Sequence, residues 1–178
     1  VLLNPKKALE NEPLMAQLEL AKKMLAGVGI AGVGHIVLLD DADPEVISEK
    51  LYNKPSKRAG KSAPFSPVGT PRGYTRLAMR GLAASNNTKQ AIIALPDGAP
   101  YGRVNIDTDN CTICLSCVGA CPAGALQDNP DAPQLLFRED ACLQCGICAA
   151  TCPEKVITLE PQFNLTDSAM AAELVVED

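Results

Sequence analysis

Apolar residues at Leu14, Leu18, Ala21 and Leu25 recur at helical spacing and predict a helix over 13–26, which Gly27 can end. The run Ile36, Val37, Leu38, Leu39 reads as a short buried strand. Asp43 before Pro44 has the pattern of an N-cap and first helical residue, with the helix running to about Tyr52. Thr70 and Pro71 start another helix in the same way, ending near Ser85, and the apolar run 91–95 predicts a second strand. Between 53 and 69 the pattern lapses into Pro, Ser, Lys and Gly, the composition of a basic loop or linker. Helices alternating with buried strands predict a small α/β region over 1–100, with too few strands for a complete domain of that kind.

From 101 onward the pattern repeats. A shift of 31 residues lays Val104-Asn105-Ile106-Asp107 on Leu135-Leu136-Phe137-Arg138, and Ala125-Leu126-Gln127-Asp128 on Val156-Ile157-Thr158-Leu159. Each unit reads strand, loop, short helix, strand. The helices, about 115–120 and 146–151, are stopped by Pro122 and Pro153. Asp128, Asn129, Pro130 and Asp131 supply turn chemistry between the units. One unit buries little alone, so the two are expected to pair about a pseudo-two-fold axis. Residues 162–178 are left as a C-terminal tail.

The same shift carries the cysteines onto one another. Cys111, Cys114, Cys117, Cys121 and Pro122 superpose on Cys142, Cys145, Cys148, Cys152 and Pro153, and these eight are all the cysteines in the chain. Gaps of two residues crowd thiolates around a metal centre better than they suit separate disulfides, so an iron–sulfur centre leads, with zinc and disulfides as the alternatives. Two-residue gaps let one loop wrap three irons while the intervening backbone N–H groups point at sulfur. In the second loop Gly146 permits close approach of backbone to such a centre, whereas the first has Leu115 there. Leu115 is expected to cover its centre with apolar surface rather than distort the loop, and the two centres are expected to differ in potential. Ile113, Leu143 and Ile147 are expected to be ordinary core residues.

The duplicated C-x-x-C-x-x-C-x-x-x-C-P run resembles the bacterial-type two-cluster 2[4Fe–4S] ferredoxins over about 101–161, a third of the chain. The resemblance implies an α+β chain: a ferredoxin-like (βαβ)2 two-cluster domain preceded by the small α/β region. It also implies two [4Fe–4S] clusters and crossed ligation. One cluster would take Cys111, Cys114, Cys117 and Cys152, the other Cys142, Cys145, Cys148 and Cys121. Metal loading would then be coupled to folding.

Charge sharpens this. Residues 1–100 hold 13 Lys/Arg against 9 Asp/Glu, while 101–178 hold 3 against 12, within a net charge of −5. Nine basic residues and no acidic one lie from Lys50 to Pro96. They form a solvated face or a dock for an acidic redox domain. Nucleic acid has no supporting motif, and Tyr52, Phe65 and Tyr74 are too sparse for a stacking platform.

No uncharged stretch is long enough for a membrane span, and no secretory signal opens the chain. Iron–sulfur chemistry implies a reducing, cytoplasmic setting. Because the chain opens on Val1, a fragment of a longer polypeptide is expected.

Three signals are discounted. Gly27-x-Gly29-x-x-Gly32 fits a dinucleotide fingerprint but follows a helix and precedes a strand, the reverse of the required context. His35, the lone histidine, reads as structural, and Asp40, Asp41 and Asp43 as a solvated loop with a helix cap. No nucleophile–base pair is visible. The reading is an electron-transfer module, not catalytic alone, that takes single electrons from a low-potential donor to a partner oxidoreductase. The alternatives are a permanent iron–sulfur subunit of a hydrogenase- or formate-dehydrogenase-like complex, and a redox sensor or structural cluster protein.

Overall fold

The computed structural model describes residues 2–3, 11–30, 36, 38–39, 41, 43–53, 66 and 69–177. The chain divides into two compact units, Val1–Gln90 and Ala91–Asp178.

In the first unit, β1 (Leu2–Leu3) pairs in parallel with β2 (Leu38–Leu39), and between them lies α1 (Glu12–Gly27). Asn11 caps α1, its Oδ1 accepting from the Leu14 N–H at 3.2 Å. Gly27 is still helical. The chain leaves the helix two residues later, where Gly29 has φ +81°. The Gly29 N–H donates to the Ala26 carbonyl and the Ile30 N–H to the Leu25 carbonyl, the paired bonds of a Schellman stop. The glycine that ends α1 is therefore Gly29, because only there does the backbone need the left-handed region.

Next come α2 (Pro44–Tyr52), capped by Asp43 at 2.9 Å from the Glu45 N–H, and α3 (Pro71–Ser85), capped by Thr70 at 3.2 Å from the Gly73 N–H. Both start at the proline the sequence selected. The strand expected over 36–39 is described only as Leu38–Leu39.

The second unit starts ten residues before the boundary expected at 101. The strand over 91–95, here β3 (Ile92–Ala94), belongs to it. It pairs antiparallel with β7 (Ile157–Asn164), which also pairs with β4 (Gly102–Ile106). β7 changes partner at Pro161: 157–161 face β4 and 162–164 face β3. The rings of Tyr101 and Phe163, centroids 5.0 Å apart and edge to face, brace that switch.

The second sheet holds β5 (Leu126–Asn129), β6 (Ala132–Phe137) and β8 (Glu173–Glu177), all antiparallel, in the order β5-β6-β8. Asn129 Oδ1 accepts from the Asp131 N–H at 3.0 Å and shapes the β5–β6 turn. Residues 162–177 are thus not a tail. They finish β7, make a short 3-10 turn over Asp167–Met170 and add β8 to the edge of β6. Only Val176 of β8 is buried, between half-buried Val175 and exposed Glu177, so the segment lacks the clean alternation that marks a strand in sequence.

Two five-residue helices, α4 (Ser116–Ala120) and α5 (Ile147–Thr151), join β4 to β5 and β6 to β7. Val104, Leu126, Leu135, Phe137, Ile157 and Val176 form one buried cluster with Cys117, Cys142 and Cys148. The core of this unit is therefore built around the thiols, not beside them.

Candidate metal centre

The two cysteine loops have one backbone path. A 3-10 turn (Thr108–Asn110) delivers Cys111, and its counterpart (Glu139–Ala141) delivers Cys142. Left-handed residues then fall at Ile113 and Leu115 in the first loop and at Gln144 and Gly146 in the second, with Gly124 and Lys155 following the helices. Every pair is 31 apart. Alternating left- and right-handed residues turn successive N–H groups toward one side and make a concavity suited to an anion. Leu115 has φ +57° against +76° at Gly146, so leucine does not reroute the loop. A non-glycine residue there costs on the order of 1–2 kcal/mol.

Each loop faces a cavity. The first is lined by Cys111, Cys114, Cys117 and Cys152, with Ile106, Leu135 and Ile157 behind and Thr112 and Glu154 also on its lining. The second is lined by Cys142, Cys145, Cys148 and Cys121, with Val104, Leu126 and Phe137 behind and Leu143 and Leu159 also on its lining. Their empty volumes, about 350 and 340 Å³ including the open mouths, are nearly equal. All eight cysteines are free thiols. Among the described residues no three His, Cys, Asp or Glu side chains converge on a single-ion position. Four thiols spread around an apolar cavity, over a cradle of backbone N–H groups, suit a polynuclear anionic centre better than one ion.

The thiols differ in environment. Burial pushes the Cys117 thiol up to about 11, with nearby Cys148, Cys111 and Cys114 adding to the rise. Cys148 is raised for the same reason, first by burial and then by Cys142, Cys121 and Cys145. For Cys121 burial pulls upward but is outweighed by backbone N–H groups at Leu126, Ala125, Ala123 and Gly124. The Ala125 N–H lies 3.2 Å from its sulfur, and the thiol is lowered. Cys114 is lowered chiefly by Ser116, whose Oγ is 3.4 Å from its sulfur. Cys117 and Cys148 each sense thiols of the other loop, which brings the two cavities within electrostatic reach.

Two contacts were not visible in the spacing. Gln144 Nε2 donates to the Arg103 carbonyl at 2.9 Å and approaches Cys142 Sγ at 3.4 Å. The counterpart of Gln144 is Ile113, which has no such donor. Gly102 lies beneath the Gln144 amide: an added Cβ would meet Gln144 Cδ at 2.6 Å and would crowd the Glu160 carbonyl oxygen still more. A 31-residue alignment would have flagged Gln144 as the polar member of an otherwise apolar pair. Nothing local marks Gly102. Leu143 and Ile147 depart from the core role expected of them, since both are exposed.

A larger cavity, its empty volume about 1210 Å³ including the open mouth, lies between β4, β7 and β8 and has no cysteine on its lining. In it Glu139 accepts from Gln162 Nε2 at 2.8 Å and from Asn164 Nδ2 at 2.9 Å, so the buried amides are partnered.

The discounted motifs fare as follows. Gly32, His35, Asp40 and Phe65 lie outside the described residues, as does most of the 53–69 loop. Asp41 and Asp43 serve the local turn: Asp41 Oδ1 accepts from the Asp43 N–H at 3.1 Å and Oδ2 sits 3.8 Å from Lys50 Nζ, while Asp43 caps α2. Of the basic stretch, Arg76 is buried, and Arg72, Arg76 and Arg80 are all engaged in polar interactions. Among the described residues no helix is long and apolar enough to cross a membrane.

Sheet, helix and thiol cavity define an iron–sulfur protein: residues 110–157 match the family model of the 4Fe-4S dicluster domain. A ferredoxin of Methanothermococcus thermolithotrophicus is 36% identical over 59 residues, covering 32% of this chain and 97% of that protein. The chain belongs, through this segment, to the ferredoxin family. A ferredoxin of Pyrobaculum islandicum is 42% identical over 60 residues, 34% of this chain and 55% of the relative. The pyruvate synthase subunit PorD of Methanothermobacter marburgensis is 36% identical over 55 residues, 31% of this chain and 62% of that subunit. The chain thus spans little more than half the length of these last two relatives.

Proposed function

We propose that residues 91–178 hold two [4Fe–4S] clusters in a (βαβ)2 ferredoxin arrangement and carry single electrons between a low-potential donor and a partner oxidoreductase in the cytoplasm. One cluster is held by Cys111, Cys114, Cys117 and Cys152, the other by Cys142, Cys145, Cys148 and Cys121. The observation that carries this is the membership of the two cavities: each takes three thiols from one loop and the fourth from the other. When bound, the clusters supply the one-electron couple. The chain supplies thiolates, backbone N–H donors and apolar walls that keep water from the sulfurs. It performs no catalysis of its own.

The experiment is anaerobic purification with iron and sulfide counting, followed by paired alanine variants. Cys121→Ala with Cys145→Ala should remove one cluster and leave about four irons per chain. Cys114→Ala with Cys121→Ala should remove both. The opposite pattern would refute crossed ligation, and a colourless protein with zinc would refute the whole reading.

A second reading is a permanent iron–sulfur subunit of a larger oxidoreductase. Unit 1–90, which lies outside the matched segment, favours it, as does the similarity to a protein whose name makes it an enzyme subunit. Stable co-purification at high salt would select this reading over a mobile carrier.

A further inference from the structure

The internal repeat allows the two cavity mouths to be compared residue by residue. Thr112 and Glu154 line the first cavity together with Ile113, Leu115 and Val156, and Ser116 Oγ lies 3.4 Å from Cys114 Sγ. The residues 31 positions from Thr112, Glu154 and Ser116 are Leu143 and Ala123, which line the second cavity, and Ile147, which opens α5 between the lining residues Gly146 and Cys148. Leu143 is 45% exposed and Ile147 43%. Leu159, 37% exposed, adjoins them, its Cδ1 being 3.7 Å from where a Cβ on Gly146 would lie. Asp128 is its counterpart in the first half. Among these apolar side chains the Cys145 thiol is exposed. Local folding explains none of this: the first half makes the same loop and helix with polar residues at the same positions. Apolar side chains held in water cost about 25 cal/mol for each Å² left unburied, so a cluster of them at one mouth marks a contact surface.

We infer that the Leu143–Ile147–Leu159 face is where a redox partner docks, and that electrons enter or leave through the centre beside Cys145. This rests on the iron–sulfur reading above. The partner is a redox protein with an apolar contact patch ringed by Lys and Arg, its own redox centre just beneath. Charge argues for that complement. Residues 91–178 carry three basic and thirteen acidic side chains, net −10, before any anionic cluster is added. The acidic surround attracts and orients the partner, and the apolar face supplies short-range contact and excludes water from the electron path. The first mouth, bordered by exposed Thr112 and Glu154, offers no such exposed apolar contact, and its centre exchanges electrons with the second.

The test uses cytochrome c, a basic haem protein, as acceptor. The chain is reduced anaerobically with dithionite, the excess is removed, and one electron passes from a reduced centre to each ferric haem. Rates are taken at high salt, where charge steering is screened, and normalised to iron content and to the rate with ferricyanide, which is small enough to reach both mouths. Leu143→Thr with Ile147→Ser, the residues of the other half, should lower the normalised rate at least ~5-fold, the order expected from losing an anchoring apolar contact. Leu174→Thr, an equally exposed leucine (48%) on β8, should leave it unchanged.

An unchanged rate in the double variant, with iron and sulfide still at two clusters per chain, overturns the docking face and leaves the electron-transfer reading intact. Absence of iron and sulfide from the parent chain overturns that reading itself. Concentration-dependent dimerisation of the parent chain that the double variant abolishes would assign the face to a second copy, and would overturn the partner proposed here.

Discussion

Gly102→Ala is the most demanding test of how the second loop is held. A Cβ at Gly102 would sit 2.6 Å from Gln144 Cδ and 2.7 Å from its Nε2, and the Glu160 carbonyl oxygen beside it is fixed in the β4–β7 ladder. The side chain can yield only if the Gln144 amide swings away. That gives up its bonds to the Arg103 carbonyl (2.9 Å) and to Cys142 Sγ (3.4 Å), each worth about 1 kcal/mol. Residual overpacking of the strand adds roughly 1–3 kcal/mol, and the stiffer unfolded chain returns about 0.4–1 kcal/mol. A net loss of about 3 kcal/mol follows.

Gly146→Ala is the control. Its Cβ meets Leu159 Cδ1 at an ordinary 3.7 Å, so only the left-handed φ of +76° opposes it. That strain is roughly 1 kcal/mol, most of it offset by the same unfolded-state term. Anaerobic denaturant unfolding, followed by loss of the visible sulfur-to-iron absorption, should separate the two variants by about 2 kcal/mol, more than a tenfold ratio in the folding equilibrium. Equal losses would refute the claim that Gly102 is there to admit the close approach of the Glu160 carbonyl and the Gln144 amide.

Three further outcomes are expected. Gln144→Met removes the side-chain N–H nearest Cys142 and should lower the potential of that cluster alone by about 40 mV, the one-electron equivalent of one ~1 kcal/mol hydrogen bond; an unmoved step in an electron-paramagnetic-resonance titration refutes it. Leu115→Gly relieves left-handed strain while losing a half-buried side chain and gaining unfolded-state freedom, so stability should change by less than about 1 kcal/mol and iron content not at all; loss of iron would mean that Leu115 is needed to seal its cluster. Glu154→Gln removes a carboxylate from the first mouth and should raise the potential of the cluster held by Cys111, Cys114 and Cys117, leaving the other step in place; two equally shifted steps would place the charge between the clusters.

The caps that start α2 and α3, at Asp43 and Thr70, were legible because capping is local: one side chain, one or two N–H groups, a proline next door. The repeat was legible because it is written in residue identity at a constant offset. The helix stop falls at Gly29 rather than Gly27 because it depends on where the helix runs out of partners, and that shifts by a residue or two without changing composition. β8 escapes sequence reasoning because a five-residue edge strand without clean alternation looks like a tail until its partner, β6, is in place. The exposure of Leu143 and Ile147 is not legible in the sequence because apolar identity says nothing of direction.

The sequence by itself determined the chemistry: eight thiols at cluster spacing, a duplicated backbone path, and the family to which that path belongs. Only the tertiary structure decided which thiols share a cavity, that a glutamine reaches one sulfur across a glycine, and that Leu143, Ile147 and Leu159 are left exposed beside one of the two centres. Spacing along a chain fixes what a loop can bind. Which groups from distant loops meet, and which side chains are left facing water, follow from how two sheets and two short helices close around a common core.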